Sequence, residues 1–319
     1  MSKGLAIVTG AGSGIGRAIA LALGEKGFAV GVVDLDEKSA AETCSQIKTM
    51  SKAFKADTSK ASELDAAVTA AVRDLGPLEV MVNNAGILDG YFDVDEMEES
   101  TWRRVIDIDL TGVFLGSKRA LNEMLPRKRG RIVNMASVAG LNGTGGGGAY
   151  IAAKHGVVGL TRQMAVVYGA RGITVNCVCP GPIVTGLRAH SQAILGPGIP
   201  DMSKRGVAVN DDQVRALVPV GVRGTVRMSR VRCVSSFPKR RSTSTATALS
   251  WTATGERNST WGVQGPLSTV SSTDQRNTSY VARLGLTRFR GHFPMLVERE
   301  AHDAPQSRCI PAGVPAEVD

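Results

Sequence analysis

Thr9-Gly10-Ala11-Gly12-Ser13-Gly14-Ile15-Gly16 is the stretch that decides the fold. The apolar run Leu5-Ala6-Ile7-Val8 precedes it, and Arg17-Ala18-Ile19-Ala20-Leu21-Ala22, which has a helical composition, comes after it. Glycines let a backbone turn tightly and approach a ligand closely, and a helix N-terminus offers N–H groups and a partial positive charge. A strand, a glycine turn and a helix in that order make a cradle for a pyrophosphate; a glycine string without that context would carry little weight. The spacing is Gly-x-x-x-Gly-x-Gly through Gly10, Gly14 and Gly16, and Ile15 stands where the commoner dinucleotide fingerprint has its third glycine.

Outward from this turn, short β-branched runs alternate with amphipathic stretches up to about residue 186. Residues 5–8, 29–33, 51–56, 80–82, 131–135 and 174–178 read as strands, and 15–26, 37–48, 62–75, 99–124 and 149–170 as the helices between them. That alternation predicts an α/β fold, a doubly wound, mostly parallel sheet with helices on both faces and ligands at the carboxyl ends of the strands. Residues 187–218 are irregular, broken by Gly196-Pro197-Gly198 and Ile199-Pro200, and are expected to form a substrate loop or a connection. After Pro219 periodicity fails, Ser/Thr-rich and Arg-rich stretches show no strand or helix of useful length, and disorder is the expectation there.

The chain has 319 residues, 43% of them hydrophobic, which is enough for one core with an appendage. Its net charge of +9 is unevenly placed: residues from 219 onward hold 14 of the 38 Lys/Arg and 7 of the 29 Asp/Glu. The body is nearly neutral, and the basic tail lacks the interleaved aromatics or motif of a nucleic-acid-binding arm, so no nucleic-acid partner is expected. Cys44, Cys177, Cys179, Cys233 and Cys309 are odd in number and carry no metal-ligand spacing, so free thiols in a reducing compartment are expected. His155 and His190 have no second ligand spaced with either, and no metal site is expected. No apolar run approaches the roughly 20 residues that cross a bilayer, so the chain reads as soluble and cytoplasmic, with no membrane partner.

Thr9-Gly-x-x-x-Gly-x-Gly resembles the glycine motif of the short-chain dehydrogenase/reductase family in its "classical" type, and further elements come in family order. Asn83-Asn84-Ala85-Gly86 closes the fourth strand. Ser137 lies in Asn134-Met135-Ala136-Ser137-Val138-Ala139-Gly140, thirteen residues before Tyr150-Ile151-Ala152-Ala153-Lys154. The resemblance implies an oxidoreductase that moves a hydride between a nicotinamide dinucleotide and a secondary alcohol or ketone. Tyr150 is then the acid/base, Ser137 bonds the substrate oxygen, and Lys154 holds the nicotinamide ribose. Tyr150 and Lys154, four apart, share a helix face, so the ammonium can lower the phenol's pKa toward the working pH. The family's usual Asn, which orders a water through its backbone carbonyl, is replaced by Asp109 in Ile108-Asp109-Leu110-Thr111-Gly112.

The same resemblance assigns a cofactor site to Gly10, Ser13, Gly14, Ile15, Gly16, Asp34, Leu35, Asp57, Thr58, Asn84, Ala85 and Gly86, with Tyr150, Lys154, Pro180, Gly181, Ile183 and Thr185 at the nicotinamide end. A carboxylate at Asp34 can accept from both adenosine ribose hydroxyls and repels a 2′-phosphate, and neither Ser13 nor Leu35 is basic, so NAD(H) is expected. Asp34 also weighs against a 3-oxoacyl reductase, the nearest alternative in the family.

Leu217-Val218-Pro219-Val220-Gly221 matches the family's Val-Pro-x-Gly, after which the expected last helix, last strand and Asp-Gly-Gly vanish. Back-translation with a shifted frame yields Asp-Val-Ala-Gly-Ala-Val-Arg-Phe-Leu from Arg227–Ser236 and Val-Asn-Gly-His with Val-Val-Asp-Gly from Thr243–Thr254, both close to those elements. A one-base deletion between about Pro219 and Arg227 is therefore expected, with 1–218 as the dinucleotide-binding and catalytic domain and 219–319 as an out-of-frame tail. The family's tendency to dimers and tetramers is in doubt for such a chain, and so is its activity; an inactive dinucleotide-binding product is the competing expectation.

Overall fold

The β-branched runs form strands at the places where their apolar pattern predicts them. They are β1 (Leu5–Thr9), β2 (Ala29–Asp34), β3 (Ser51–Lys55), β4 (Leu78–Asn83), β5 (Gly130–Met135) and β6 (Ile173–Pro180). These come from a computed structural model, which describes residues 3–206, 210, 212–214, 223–227 and 248–251, all within the first of the chain's two units, Met1–Gly265. A seventh strand, β7 (Ala248–Trp251), completes an all-parallel sheet in the order β3-β2-β1-β4-β5-β6-β7.

Alternate residues of each strand point to opposite faces. Leu5 and Ile7 pack with Leu64, Val68 and Met124 of one helical layer, and Ala6 and Val8 with Ile19 and Leu23 of the other. The helices are α1 (Gly14–Glu25), α2 (Glu37–Ser45), α3 (Ala61–Leu75), α4 (Glu99–Ile106), α5 (Gly112–Met124), α6 (Gly148–Gly169) and α7 (Leu187–Leu195). The chain leaves β1 toward β2 on one side and places β4 on the other, so a crevice opens at their carboxyl ends. Thr9 pairs with Val33 and Asn83 with Asn134, which brings the glycine turn, Asp34 and the Asn83-Asn84 corner to one level.

Three details depart from the pattern read in the sequence. The helix expected over 99–124 contains a π-helical turn, Asp107–Thr111, between α4 and α5. Such a turn spends an extra residue, rotates the helix beyond it, and is common at functional sites; here it sets Asp109 at 0% exposure. Part of the segment expected to be irregular over 187–218 is α7, nine residues that end at Gly196 with φ +83. Its brevity and mixed polarity hide its period, although Ser191 is buried. The tail, expected to hold no strand of useful length, supplies β7, whose Ala248 pairs with Cys177 and Trp251 with Pro180. Four residues are too few for alternation to show.

Cys44, Cys177 and Cys179 are free thiols, as expected, while Cys233 and Cys309 lie outside the described residues. Among the described residues no helix is long and apolar enough to cross a membrane, and no cluster of His, Cys, Asp and Glu could hold a metal. The Val-Pro-x-Gly match and most of 219–319 also lie outside the described residues.

Candidate active site

The glycine turn is held from below. The Asn84 side-chain amide donates to the Thr9 and Gly10 carbonyls at 3.0 and 3.1 Å, and the backbone N–H groups of Asn84 and Ala85 donate to Thr9 Oγ1 at 3.0 and 3.1 Å. Gly10 adopts φ +60, open to glycine, and a Cβ on Gly16 would fall 2.1 Å from the Gly10 carbonyl oxygen. Asn83 lies deeper, donating to Ser117 Oγ at 3.0 Å and Asn134 Oδ1 at 2.9 Å, which ties β4 to β5 and α5.

The first turn of α1 starts at Gly14 with no side-chain cap and no acidic residue. Its N–H groups face a cavity of about 420 Å³, which fits the phosphates of a dinucleotide. The same cavity is lined by Gly10, Ser13, Gly14, Ile15 and Gly16, by Asp34 and Leu35, by Asp57 and Thr58, by Asn84, Ala85 and Gly86, and by Pro180, Gly181, Ile183 and Thr185. Ser137, Tyr150, Lys154 and Asp109 also line it. Residues from Gly10 to Thr185 therefore meet in one crevice, at the ends of β1, β2, β4, β5 and β6.

At the β2 end of the crevice, Asp34 Oδ2 accepts from the Gly12 N–H at 2.7 Å and Oδ1 from the Asp36 N–H at 3.0 Å. Asp36 lines the cavity as well and caps α2 by accepting from Lys38 and Ser39. Arg17, a cation at this corner, is tied to the Gly12 carbonyl, to Thr43 Oγ1 at 2.9 Å and to Glu42 at 3.5 Å. Asp57 accepts from Ser59 and pairs with Arg104 at 3.2 Å. Burial pushes its carboxyl up, but the Ser59 hydrogen bonds and the guanidinium hold it below its ordinary value.

At the other end, Ser137 caps a short 3₁₀ turn (Val138–Gly140), accepting from the Ala139 N–H at 3.2 Å, and its hydroxyl is among the groups that pull the Tyr150 phenol's pKa down. Tyr150 and Lys154 stand on one face of α6, with the ammonium 5.4 Å from the centre of the phenol ring. Burial is the largest influence on the Tyr150 phenol and raises its pKa; Lys154 pulls it down and Asp109 pushes it up. The expected lowering by Lys154 is present but outweighed. Lys154 Nζ pairs with Asp109 Oδ2 at 2.9 Å and donates to the Met135 carbonyl at 3.3 Å. Burial pulls the ammonium's pKa down, and Asp109 and Tyr150 more than offset it, so Lys154 stays firmly charged. The other Asp109 oxygen, Oδ1, accepts from the Ile87 N–H at 2.8 Å. A Cβ on Gly86 would lie 3.0 Å from Asp109 Oδ2 and 3.2 Å from Lys154 Nζ, so the bare backbone there makes room for the pair.

The sequence carried no sign of Asp89. It is fully buried, and its carboxylate accepts from the N–H groups of Tyr91, Gly147 and Tyr150 at 3.1, 3.0 and 2.9 Å. It thus caps α6 from another segment, because Gly147, at the N-cap position, has no side chain to do so. His190 stands on α7 3.5 Å from Ser13 Oγ and lines the cavity, while His155 bonds the Ile151 carbonyl within α6.

A family profile described as "short chain dehydrogenase" matches residues 4–194. The chain belongs to the short-chain dehydrogenase family. Its relatives include 2-(S)-hydroxypropyl-CoM dehydrogenase 3 of Xanthobacter autotrophicus, 45% identical over 193 residues that span 59% of this chain and 74% of that one. Cyclohexanol dehydrogenase of an Acinetobacter species is 42% identical over 191 residues, 59% of this chain and 76% of that one. A crystal structure of levodione reductase superposes with a TM-score of 0.66 at 31% identity, covering 73% of this chain and 90% of that one. Family membership makes the chain an oxidoreductase by kind, within a family that binds nicotinamide dinucleotide cofactors.

Proposed function

We propose that the protein is an NAD(H)-dependent oxidoreductase that interconverts a secondary alcohol and a ketone, with Tyr150 as the acid/base. The observation that carries the reading is that Ser137 and Tyr150 line two cavities at once: the dinucleotide crevice and a second cavity of about 360 Å³ beside it. A bound nicotinamide would accept the hydride from the alcohol carbon or return it to the ketone. The Ser137 hydroxyl holds the substrate oxygen, and Tyr150 takes its proton in oxidation and returns it in reduction. Lys154, kept charged by Asp109, favours the phenolate and lines the crevice, where it would hold the nicotinamide ribose. Both dehydrogenase relatives bear the names of hydroxyl-bearing substrates, which supports this direction of chemistry.

Preference for NAD(H) rests on the adenosine corner, where Asp34 and Asp36 line the crevice and Arg17 is engaged elsewhere. A 2′-phosphate would meet two carboxylates. The test is Tyr150→Phe in the full chain, assayed against a panel of alicyclic and aryl-alkyl alcohols: turnover is lost while NADH fluorescence still reports binding. Retained turnover would sink the assignment.

We further propose that residues 1–218 carry this reaction and that 219–319 is an out-of-frame tail. The family profile stops at residue 194, and the relatives match over about three quarters of their own length, which supports that boundary. An interface normally built by the missing segment would then be lost.

A further inference from the structure

We propose that the substrate is an organic acid, its carboxylate held by Arg188 and Arg223 while its alcohol or ketone carbon faces Ser137 and Tyr150. This rests on the reading of the second cavity as the substrate side of the hydride-transfer site. Leu88, Val138, Ile183 and Leu187 give that cavity apolar walls suited to a carbon skeleton. Among the described residues, its charged lining side chains are the two arginines, and no carboxylate lines it. An anionic substrate gains from two guanidinium groups that line its pocket.

Neutral groups are among those that set Arg188 in place. It donates to the Met202 and Arg205 carbonyls and to Tyr91 Oη at 3.3 Å, and its guanidinium lies 5.3 Å from the centre of the Tyr91 ring. Tyr91 itself holds φ +57, a left-handed conformation that costs energy for a bulky residue and that clusters at ligand sites. Arg188 also stands in the first turn of α7, where the helix dipole disfavours a cation, so helix stability does not explain it. Arg223 reaches the same cavity from another segment: its neighbour Gly224 donates to the Pro182 carbonyl at 2.9 Å and accepts from the Val184 N–H at 3.1 Å. Two cations thus reach one cavity from separate segments, and guanidinium is the group best matched to a carboxylate.

The test compares cyclohexanecarboxylate with its neutral amide, unreactive probes of nearly equal shape, by calorimetric titration of the full chain with and without NADH. The acid is expected to bind at least about tenfold more tightly, as one charge-assisted hydrogen bond allows, and the advantage should shrink as salt rises. Arg223→Gln and Arg188→Gln should each cut the ratio about threefold or more, and Arg188→Lys less than Arg188→Gln. Because Arg188 also ties segments together, Arg223→Gln and the wild-type ratio decide the matter if the Arg188 variants fold poorly. Equal binding of acid and amide, or binding of neither, overturns the proposal. Failure of the chain to bind NADH speaks instead against the hydride-transfer reading, since acid–amide discrimination is read in either state.

Discussion

Lys154 Nζ lies 2.9 Å from Asp109 Oδ2, with the two side chains 5% and 0% exposed. In this environment an ion pair is far stronger than at the surface, and removing one partner strands the other. Asp109 therefore does more than keep a helix turn in place. Burial pushes its own carboxyl up against the pull of Lys154; as a carboxylate it secures the ammonium, yet it also stands near the Tyr150 phenol and opposes the ionisation that the proposed alcohol oxidation needs. In the proposed reaction Asp109 is a positioning residue acting through Lys154, and its cost falls on Tyr150 as the proposed proton acceptor.

Asp109→Asn should move the acidic limb of the kcat/KM profile for alcohol oxidation to lower pH by about one unit, the size of a neighbouring-charge effect. The sign comes from the phenol: losing a nearby negative charge favours phenolate, so Tyr150 accepts a proton at lower pH. The amide oxygen can still accept from the Ile87 N–H, as the carboxylate does at 2.8 Å. Both variants leave the ammonium buried without its anion, but Asp109→Ala also removes the acceptor for the Ile87 N–H and should cost about 3 kcal/mol in urea unfolding at neutral pH. A limb that stays in place in the Asn variant would show that the carboxylate does not act on Tyr150.

Much of this site was legible because its spacing is local. The glycine turn sits between a strand and a helix, and Tyr150 and Lys154 share a face by helical period alone. The Asp109–Lys154 pair was not, since it joins residues far apart in the chain and depends on a π turn that no pattern of apolar residues announces. Asp89 was missed for a related reason: a cap supplied from a distant segment leaves no mark beside the helix it caps. α7 and β7 are short, and β7 forms where β6 offers backbone to pair with, a tertiary cause that overrides a weak local pattern.

Asp34→Asn should lower the ratio of kcat/KM with NADH to that with NADPH by about tenfold or more, as loss of one charge repulsion allows. The change removes a charge from the adenosine corner but keeps an oxygen to accept from the Gly12 N–H, now 2.7 Å away. Asp36 lines the same corner and retains part of the repulsion, so NADPH should gain without becoming strongly preferred. A wild-type chain that already works better with NADPH would overturn the cofactor assignment, whatever the variant does.

Asn84→Ala removes the donors to the Thr9 and Gly10 carbonyls while leaving both backbone bonds to Thr9 Oγ1. Two acceptors lose partners beside a turn that must hold its shape, a loss of about 1–3 kcal/mol. NADH should bind about tenfold more weakly by fluorescence titration, with a small fall in melting temperature. Unchanged affinity would mean that the turn is held by its own glycines and by Thr9 alone.

Restoring one base between the codons of Pro219 and Arg227 should change the protein more than any point substitution. The restored reading places a last strand within the window Thr243–Thr254, and β7 at Ala248–Trp251 already pairs with β6 in that window. The edge of β6 thus accepts a strand there, and an in-frame sequence would add side chains suited to the sheet and to a subunit interface. The restored chain is expected to form a larger assembly by light scattering than the present 33.5 kDa chain, and to show a turnover per subunit higher by about threefold or more, the size of a change of well under 1.4 kcal/mol in the barrier. Sequencing of the gene decides the premise: an unbroken frame with these codons, together with a protein of this mass that matches the restored chain in activity and assembly, would leave the tail as a native part of the protein.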